Sequence, residues 1–326
     1  MLNFLLIKNF RLFKQLLIRN LNRVNLIAGE NDSGKTALLE ALYLLFADLD
    51  SFFKFPLAFR SGQNADDFDS FWRWLLHKKS LTLPLEISVL AEDGAEYGVA
   101  LLSANSSTEQ LAFSYRERSV ASIERYISKG GGGQGSNPPN WPTISVFSTT
   151  PSSPMEDAEY FNRIAAKRNG EKRLINLLQV VEPRLQDLKY LKLGTQPLVY
   201  ADVGMEDLIP TTQLGQAFTR LLRLFSEILV KRSRVILIDE IENGIHYKAM
   251  PQVWKGIAAI ARQEDLQIFA TTHSYECIRS AHEAFSSEPH YDLALHRLER
   301  VDDEIRAVTY NQTTLETSFE MNLEVR

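Results

Sequence analysis

Apolar and polar residues alternate in short runs over the first thirty positions. Leu2–Ile7, Gln15–Ile18 and Val24–Ala28 are apolar-rich and separated by polar residues, a pattern that predicts three strands. The period then changes. Leu38, Leu39, Leu42, Leu45 and Phe46 fall at helical spacing and predict a helix over Lys35–Ala47. Ser51–Lys79 is aromatic and irregular, with a helix expected around Asp67–Leu76. Leu83–Leu102 alternates about a turn at Asp93-Gly94 and predicts a hairpin. Gly130–Pro139, GGGGQGSNPP, has nothing apolar to anchor it and reads as a flexible loop. Asp157–Leu191 reads as two helices about Asn169-Gly170. Beyond it come a helix over Leu214–Val230, a short apolar strand over Arg234–Ile238, a helix over Tyr247–Arg262 and a buried strand over Leu266–Thr271. A helix over Tyr275–Ala284 and a hairpin of Asp292–Leu298 with Glu304–Tyr310 complete the pattern. Strands that alternate with helices predict an α/β fold with a parallel sheet. There is no internal repeat and no sustained heptad pattern.

The first strand-to-helix junction carries chemistry. LIAGENDSGKTALLEAL, from Leu26 to Leu42, holds Gly29, four further residues, then Gly34-Lys35-Thr36. Glycines at this spacing let the backbone turn so that several N–H groups point at phosphate oxygens. The helix start adds its positive dipole end. Gly29, Asn31, Ser33, Gly34, Lys35, Thr36 and Ala37 are therefore the expected nucleotide-binding set. Lys35 is suited to the β- and γ-phosphates, and the Thr36 hydroxyl to Mg2+. The second junction reads RVILIDEIE, Arg234 to Glu242. Asp239 ends an apolar strand, where a parallel sheet would set it beside the loop's Mg2+. Glu240 follows, either as a water-activating base or as a solvated turn residue. The third junction ends LQIFATTH at His273. In such sheets ligands bind at the carboxyl ends of the strands, so Lys35, the acid pair and His273 are expected in one crevice, with His273 sensing the γ-phosphate.

Composition narrows the partners. A net charge of −5 and a pI of about 5.8 exclude a chain that coats nucleic acid by overall basicity. Basic residues cluster at Lys167, Arg168, Lys172 and Arg173, and again at Arg220, Arg223, Lys231, Arg232 and Arg234. These are solvated helical faces or, alternatively, a DNA groove. Cys277 is the single cysteine, so no internal disulfide forms, which fits a reducing cytoplasmic setting. No run of eighteen or more apolar residues is present, so no membrane span is expected. Asp302-Asp303-Glu304 reads as a hairpin turn rather than a set of metal ligands.

NLIAGENDSGKTALLEALYLLF, VILIDEIENGIH and FATTHSYE, in that order, resemble the ABC-type ATPases of the RecF, SMC and OLD group, and most of all stand-alone bacterial ATPases of the OLD-like branch. The resemblance implies an ABC-type P-loop NTPase head with a mixed or parallel central sheet, an N-terminal antiparallel β subdomain and a helical middle lobe. The ATPase core would be 1–47 with 209–326, and 48–208 an inserted β-hairpin and helical lobe with the loop 130–139. It implies ATP and Mg2+ as ligands, Asp239 as metal ligand, Glu240 as base and His273 as γ-phosphate sensor. Asn9-Phe10-Arg11 matches a segment that lies near the nucleotide in relatives, which makes Arg11 a candidate contact. TTQLGQAFTRLL resembles a signature segment that one head offers to its partner's γ-phosphate, with Thr212 and Gly215 as the contacts. Glu242-Asn243-Gly244 resembles a segment that crosses the dimer interface, and Gln63 is a candidate for a Mg2+-contacting glutamine. The implied assembly is a homodimer or higher oligomer closed through its ATP sites. The implied partner is a separately encoded effector, commonly a nuclease, in bacterial defence against phage. A RecF-like ATP-gated DNA-binding protein and a small-molecule phosphotransferase are the alternatives.

Overall fold

The computed structural model describes residues 1–47, 59, 73–80, 83–105, 110–117, 120–128, 133–134, 141–148 and 153–326. Residues 67–72 of the helix expected around Asp67–Leu76, nearly all of the loop 130–139, and Gln63 lie outside them.

The chain opens with β1 (Leu2–Phe10), β2 (Phe13–Arg19), β3 (Val24–Gly29) and α1 (Lys35–Phe46), as the pattern predicted. Five strands follow: β4 (Glu86–Ala91), β5 (Glu96–Asn105), β6 (Gln110–Glu117), β7 (Val120–Ser128) and β8 (Gly133–Gln134). β9 (Ile144–Phe147) precedes α2 (Pro154–Ala165) and α3 (Gly170–Leu178). β10 (Asp187–Leu191), β11 (Leu198–Asp202) and β12 (Ile209–Pro210) lead to α4 (Gln216–Lys231) and β13 (Val235–Ile238). The chain ends with α5 (Met250–Gln263), β14 (Gln267–Thr271), α6 (Tyr275–Ser286), β15 (Leu293–Val301), β16 (Glu304–Tyr310) and α7 (Gln312–Glu320).

Three sheets result among the described residues. One is mixed, in the order β16-β15-β3-β14-β13-β9, with every neighbour pair parallel except β15 and β16. The second is antiparallel, in the order β2-β1-β4-β5-β6-β7-β8, and the third is the small β10-β11-β12 sheet. The mixed sheet is buried on both faces, which is why its strands read as continuous apolar runs. Alternation still sorts its side chains. Leu26, Ile236, Ile238 and Ile268 join the core under α2 to α6, whereas Ile27, Leu237 and Phe269 join the core against α1 and the antiparallel sheet. Helix α1 lies in that second core and buries every residue from Ala37 to Phe46, so it is apolar nearly all round rather than striped. The side-chain amide of Gln267 bridges the sheets, accepting from the Leu2 N–H at 2.9 Å and donating to Leu2 O at 2.8 Å.

The differences from the pattern have physical reasons. The helix expected to run to Leu191 ends at Leu178, and residues 187–191 pair with β11 instead. Pro183 separates the two segments, removing a helical N–H donor. The hairpin at Asp93-Gly94 forms, and β6 and β7 extend it by further antiparallel pairing. β9, a four-residue run, completes the parallel edge beside β13. Helix α7 is nucleated by a capping box in which the Asn311 side chain and Thr314 satisfy each other's backbone N–H.

Candidate nucleotide-binding site

β3, β14 and β13 are adjacent and parallel, with Ile27 opposite Thr271 and Ile238 opposite Ala270, so their carboxyl ends share one edge. The loop after β3 is built for close approach. Gly29 has φ 146°, and a Cβ there would lie 2.6 Å from both the Leu298 carbonyl and Ser33 Oγ. Gly34 has φ 97°, and its Cβ would strike the Phe13 ring at 2.7 Å. Among the described residues no side chain caps the N-terminus of α1, where the first N–H groups of a helix have no intrahelical acceptor. Asn31, Gly34, Lys35, Thr36 and Ala37 line a cavity of about 870 Å³. Gly29 and Ser33 shape the turn and are not among the lining residues; Ser33 Oγ is buried and has no hydrogen-bond partner among the described residues.

Lys35 Nζ donates to the Gly29 and Glu30 carbonyls, both at 2.8 Å, so the ammonium lies across the loop. Burial lowers its pKa, and Asp239, Glu242 and Glu240 oppose that shift. Thr36 Oγ1 lies 3.2 and 3.3 Å from the two oxygens of Asp239. Asp239 also accepts from Thr271 Oγ1 at 2.6 Å, and the same hydroxyl accepts from the Glu240 N–H at 2.8 Å. Glu240 has φ 45°, a left-handed conformation that a non-glycine residue keeps only when its surroundings impose it. Asp239, Glu240 and His273 all line the cavity that holds Lys35 and Thr36. The His273 N–H donates to Glu242 Oε1 at 3.0 Å, and its Nδ1 lies 3.4 Å from the same oxygen.

The opposite wall comes from the antiparallel sheet and from 73–80. Arg11 lines the cavity, but its guanidinium is ion-paired with Glu40 of α1 at 3.0 Å. Its Nη1 donates to the Trp74 carbonyl at 3.1 Å and its N–H to the Leu75 carbonyl at 2.7 Å. Trp74, His77, Lys78 and Lys79 line this side, with Lys79 Nζ 3.8 Å from the centroid of the Trp74 ring. Arg300, from the β15–β16 hairpin, also reaches the cavity. Thr212 and Gly215 stand apart from it. Gly215 has φ 93° and open space where a Cβ would be.

Sequence reasoning did not single out Thr271, and it assigned Arg220 to a solvated face or a DNA groove. The structure corrects the second point. Arg220 is turned inward onto the carbonyls of Asp239, Glu240 and Asn243. Arg223 pairs with Glu156, Asp157 and Glu227, and Lys231 with Glu227. These cations satisfy buried acids and loop carbonyls within the chain, because an unpaired buried carboxylate is costly. The TT pair at the end of β14 was the available signal for Thr271.

The donor set suits Mg2+. A hydroxyl and a carboxylate within 3.3 Å of each other are hard oxygen donors. Mg2+ typically takes one or two such protein ligands and fills its remaining positions with phosphate oxygens and water. Among the described residues no group of three or more His, Cys, Asp or Glu forms a cage of its own. Cys277 is buried, and burial pushes its thiol pKa up, so it is no nucleophile here. No helix among the described residues is long and apolar enough to cross a membrane.

Comparison with known proteins gives the family and the fold. A family model described as "AAA domain, putative AbiEii toxin, Type IV TA system" matches residues 24–279. An "ATP/GTP phosphatase" of Helicobacter pylori is 23% identical, over 96% of this chain and 96% of that protein. Among solved structures, the SMC head domain from Thermotoga maritima aligns with a TM-score of 0.52 at 14% identity, covering 95% of this chain and 99% of its own. An Smc head bound to the C-winged helix domain of ScpA aligns at 0.54 and 11% identity, over 98% and 99% of the two chains. These likenesses show an α/β fold that resembles an SMC head. The family model and the relative support nucleotide hydrolysis by a P-loop NTPase.

Proposed function

From the premise that the chain belongs to this AAA-domain family, we propose that it is an ATP-hydrolysing switch that closes as a sandwich dimer and controls a separate effector. The observation that carries the reading is the convergence of Lys35, Thr36, Asp239, Glu240 and His273 on one cavity. Lys35 and the N–H groups at the start of α1 hold the β- and γ-phosphates. Thr36 and Asp239 would hold Mg2+, which when bound would supply positive charge beside the phosphate oxygens. Glu240 takes the proton of the attacking water, which is general-base work for a carboxylate beside the metal ligand. His273, oriented by Glu242, donates to the γ-phosphate. A second copy offers Thr212 and Gly215 to this site, a role that the open space about Gly215 leaves sterically free.

ATP can favour the closed dimer only by binding it more tightly than the open form. Hydrolysis then reopens it. The effector is a separately encoded protein, a nuclease in our reading, and the setting is anti-phage defence in the cytoplasm. The DNA-groove alternative is weakened by the internal pairing of Arg220, Arg223 and Lys231.

The test is the solution mass of Glu240→Gln with and without Mg·ATP. The variant binds ATP and does not cleave it, so the closed state accumulates. The expected result is a nucleotide-dependent rise in mass that is lost when Gly215 is also replaced by a bulky residue. A monomer whose mass does not change with Mg·ATP would overturn the sandwich.

A further inference from the structure

The loop that carries both acids is held from two elements, by Thr271 at the end of β14 and by Arg220 of α4. Arg220 stands in the second turn of α4. Its Nη1 donates to the Asn243 carbonyl at 2.5 Å, and its Nη2 donates to the Asp239 and Glu240 carbonyls at 3.0 and 2.8 Å. On the other side of the same peptide, the Glu240 N–H is held by Thr271 Oγ1 at 2.8 Å. Glu240 is thus gripped at its N–H and at its carbonyl, with φ 45° between the two grips. Left-handed geometry at a glutamate relaxes unless both ends are fixed. The Glu240 carbonyl also accepts from the Asn243 N–H at 2.9 Å, so loss of Arg220 would leave that bond and remove the guanidinium clamp across Asp239, Glu240 and Asn243, loosening the backbone that aims the carboxylate.

Helix α4 touches the loop at a second point. Gly244 has φ 72°, and a Cβ there would lie 2.6 Å from Gln216 Oε1. The start of α4 and the segment Asp239–Gly244 therefore fit as one unit, with Gly215 at its open end.

We infer that Arg220 is a positioning residue for hydrolysis, fixing the Glu240 backbone so that the carboxylate faces the cavity and tying it to the start of α4. A guanidinium suits this work. Its planar fork serves three carbonyls at once, whereas a lysine ammonium is a point donor. Arg220 acts through Glu240 and does not line the cavity itself. The inference rests on the reading of Glu240 as the base, and the test separates the two.

The experiment compares ATP turnover, nucleotide affinity and thermal midpoint for the full chain and for Arg220→Ala, Arg220→Lys, Glu240→Gln and the Arg220→Ala/Glu240→Gln double variant. Misplacing a catalytic group by about an ångström costs on the order of 10²-fold. Turnover of Arg220→Ala is expected to fall by about that factor with affinity unchanged. The double variant is expected to be no slower than Glu240→Gln alone, because residues that act as a unit are not additive. Added guanidinium is expected to restore part of the turnover of Arg220→Ala, and no part of it in the double variant. If Arg220→Ala does not fold, Arg220→Lys carries the same comparison. Normal turnover in Arg220→Ala or Arg220→Lys, with Glu240→Gln slow, overturns the inference alone. Losses that multiply in the double variant, or that follow loss of nucleotide binding, also overturn it. Normal turnover in Glu240→Gln overturns the base reading and the inference with it.

Discussion

The two walls of the cavity are made by different means. The wall on the mixed sheet is a row of strand ends. β3, β13 and β14 stop at the same edge, and the residues just past them, Lys35, Thr36, Asp239, Glu240 and His273, arrive together by topology. The wall on the antiparallel sheet is a set of long-range stitches. Arg11, at the β1–β2 turn, is bonded to Trp74 and Leu75 and paired with Glu40. The first wall follows from strand direction and needs few specific contacts to assemble. The second depends on each contact separately. Charge on the first wall is therefore available for a ligand, whereas much of the charge on the second is committed to holding the fold.

Breaking the Arg11–Glu40 pair tests this contrast most severely. Glu40 is 3% exposed and the Arg11 side chain 9%. Arg11→Ala removes the cation paired with a buried carboxylate, and chemical denaturation is expected to show a loss of up to about 3–5 kcal/mol. The paired replacement Arg11→Met with Glu40→Leu should recover most of it. A nucleotide-affinity defect without a stability defect would instead make Arg11 a ligand contact.

Lys35→Ala probes the first wall and should do the reverse. Nucleotide affinity, measured by calorimetry, is expected to fall on the order of 10²-fold or more, the scale of charge-assisted bonds to phosphate. The fold should be intact. Burial already holds the Lys35 pKa below that of an ordinary lysine. Phosphate binding needs the ammonium, so affinity should decline on the alkaline side, beginning below the range where free lysine titrates.

A polar cluster beside β3 gives a smaller effect with a defined pH window. His296 is fully buried, with Nε2 3.2 Å from Asn25 Oδ1 and Nδ1 3.0 Å from Thr309 Oγ1. Burial pushes its pKa down to about 3 from an ordinary 6.5. Between those values the unfolded chain binds the extra proton. Stability contributed by neutral His296 is therefore intact above pH 6.5 and lost as pH falls toward 3, at about 1.4 kcal/mol per pH unit. His296→Gln should flatten that part of the stability profile.

The smallest effect belongs to the outer rim of the second wall. Trp74 is 57% exposed and carries Lys79 against its face. An exposed cation–π contact contributes about 0.5–1 kcal/mol, so Trp74→Ala should cost the fold no more than that and leave nucleotide affinity close to that of the unaltered chain. A loss as large as that of Lys35→Ala would move the centre of recognition to this wall.

The same contrast explains what could be read from the chain beforehand. β1, β3, α1, α4, β13 and β14 were legible because their apolar periods and the glycine loop are local signals. The shared strand edge then followed from parallel topology, so Lys35, Thr36, Asp239, Glu240 and His273 could be grouped. Thr271 and Arg220 act through partners 19 to 32 residues away, and their roles are set by where β14 and α4 pack. Arg220 looked like one more surface cation because its helix is apolar on the opposite face. β10 was hidden inside an apparent helix, since Leu188 and Leu191 stand three residues apart, a helical spacing, in a short strand that takes its form from β11.

The central claim is that the residues at the strand ends hydrolyse a nucleotide with Glu240 as the base. The most direct measurement is single-turnover hydrolysis of Mg·ATP by the wild-type chain and by Glu240→Gln, at enzyme concentrations above the measured dissociation constant of each. The account predicts that both bind ATP with similar affinity and that the variant cleaves it about 10²–10⁴-fold more slowly, the usual worth of a general base. Cleavage by Glu240→Gln at the wild-type rate would contradict it.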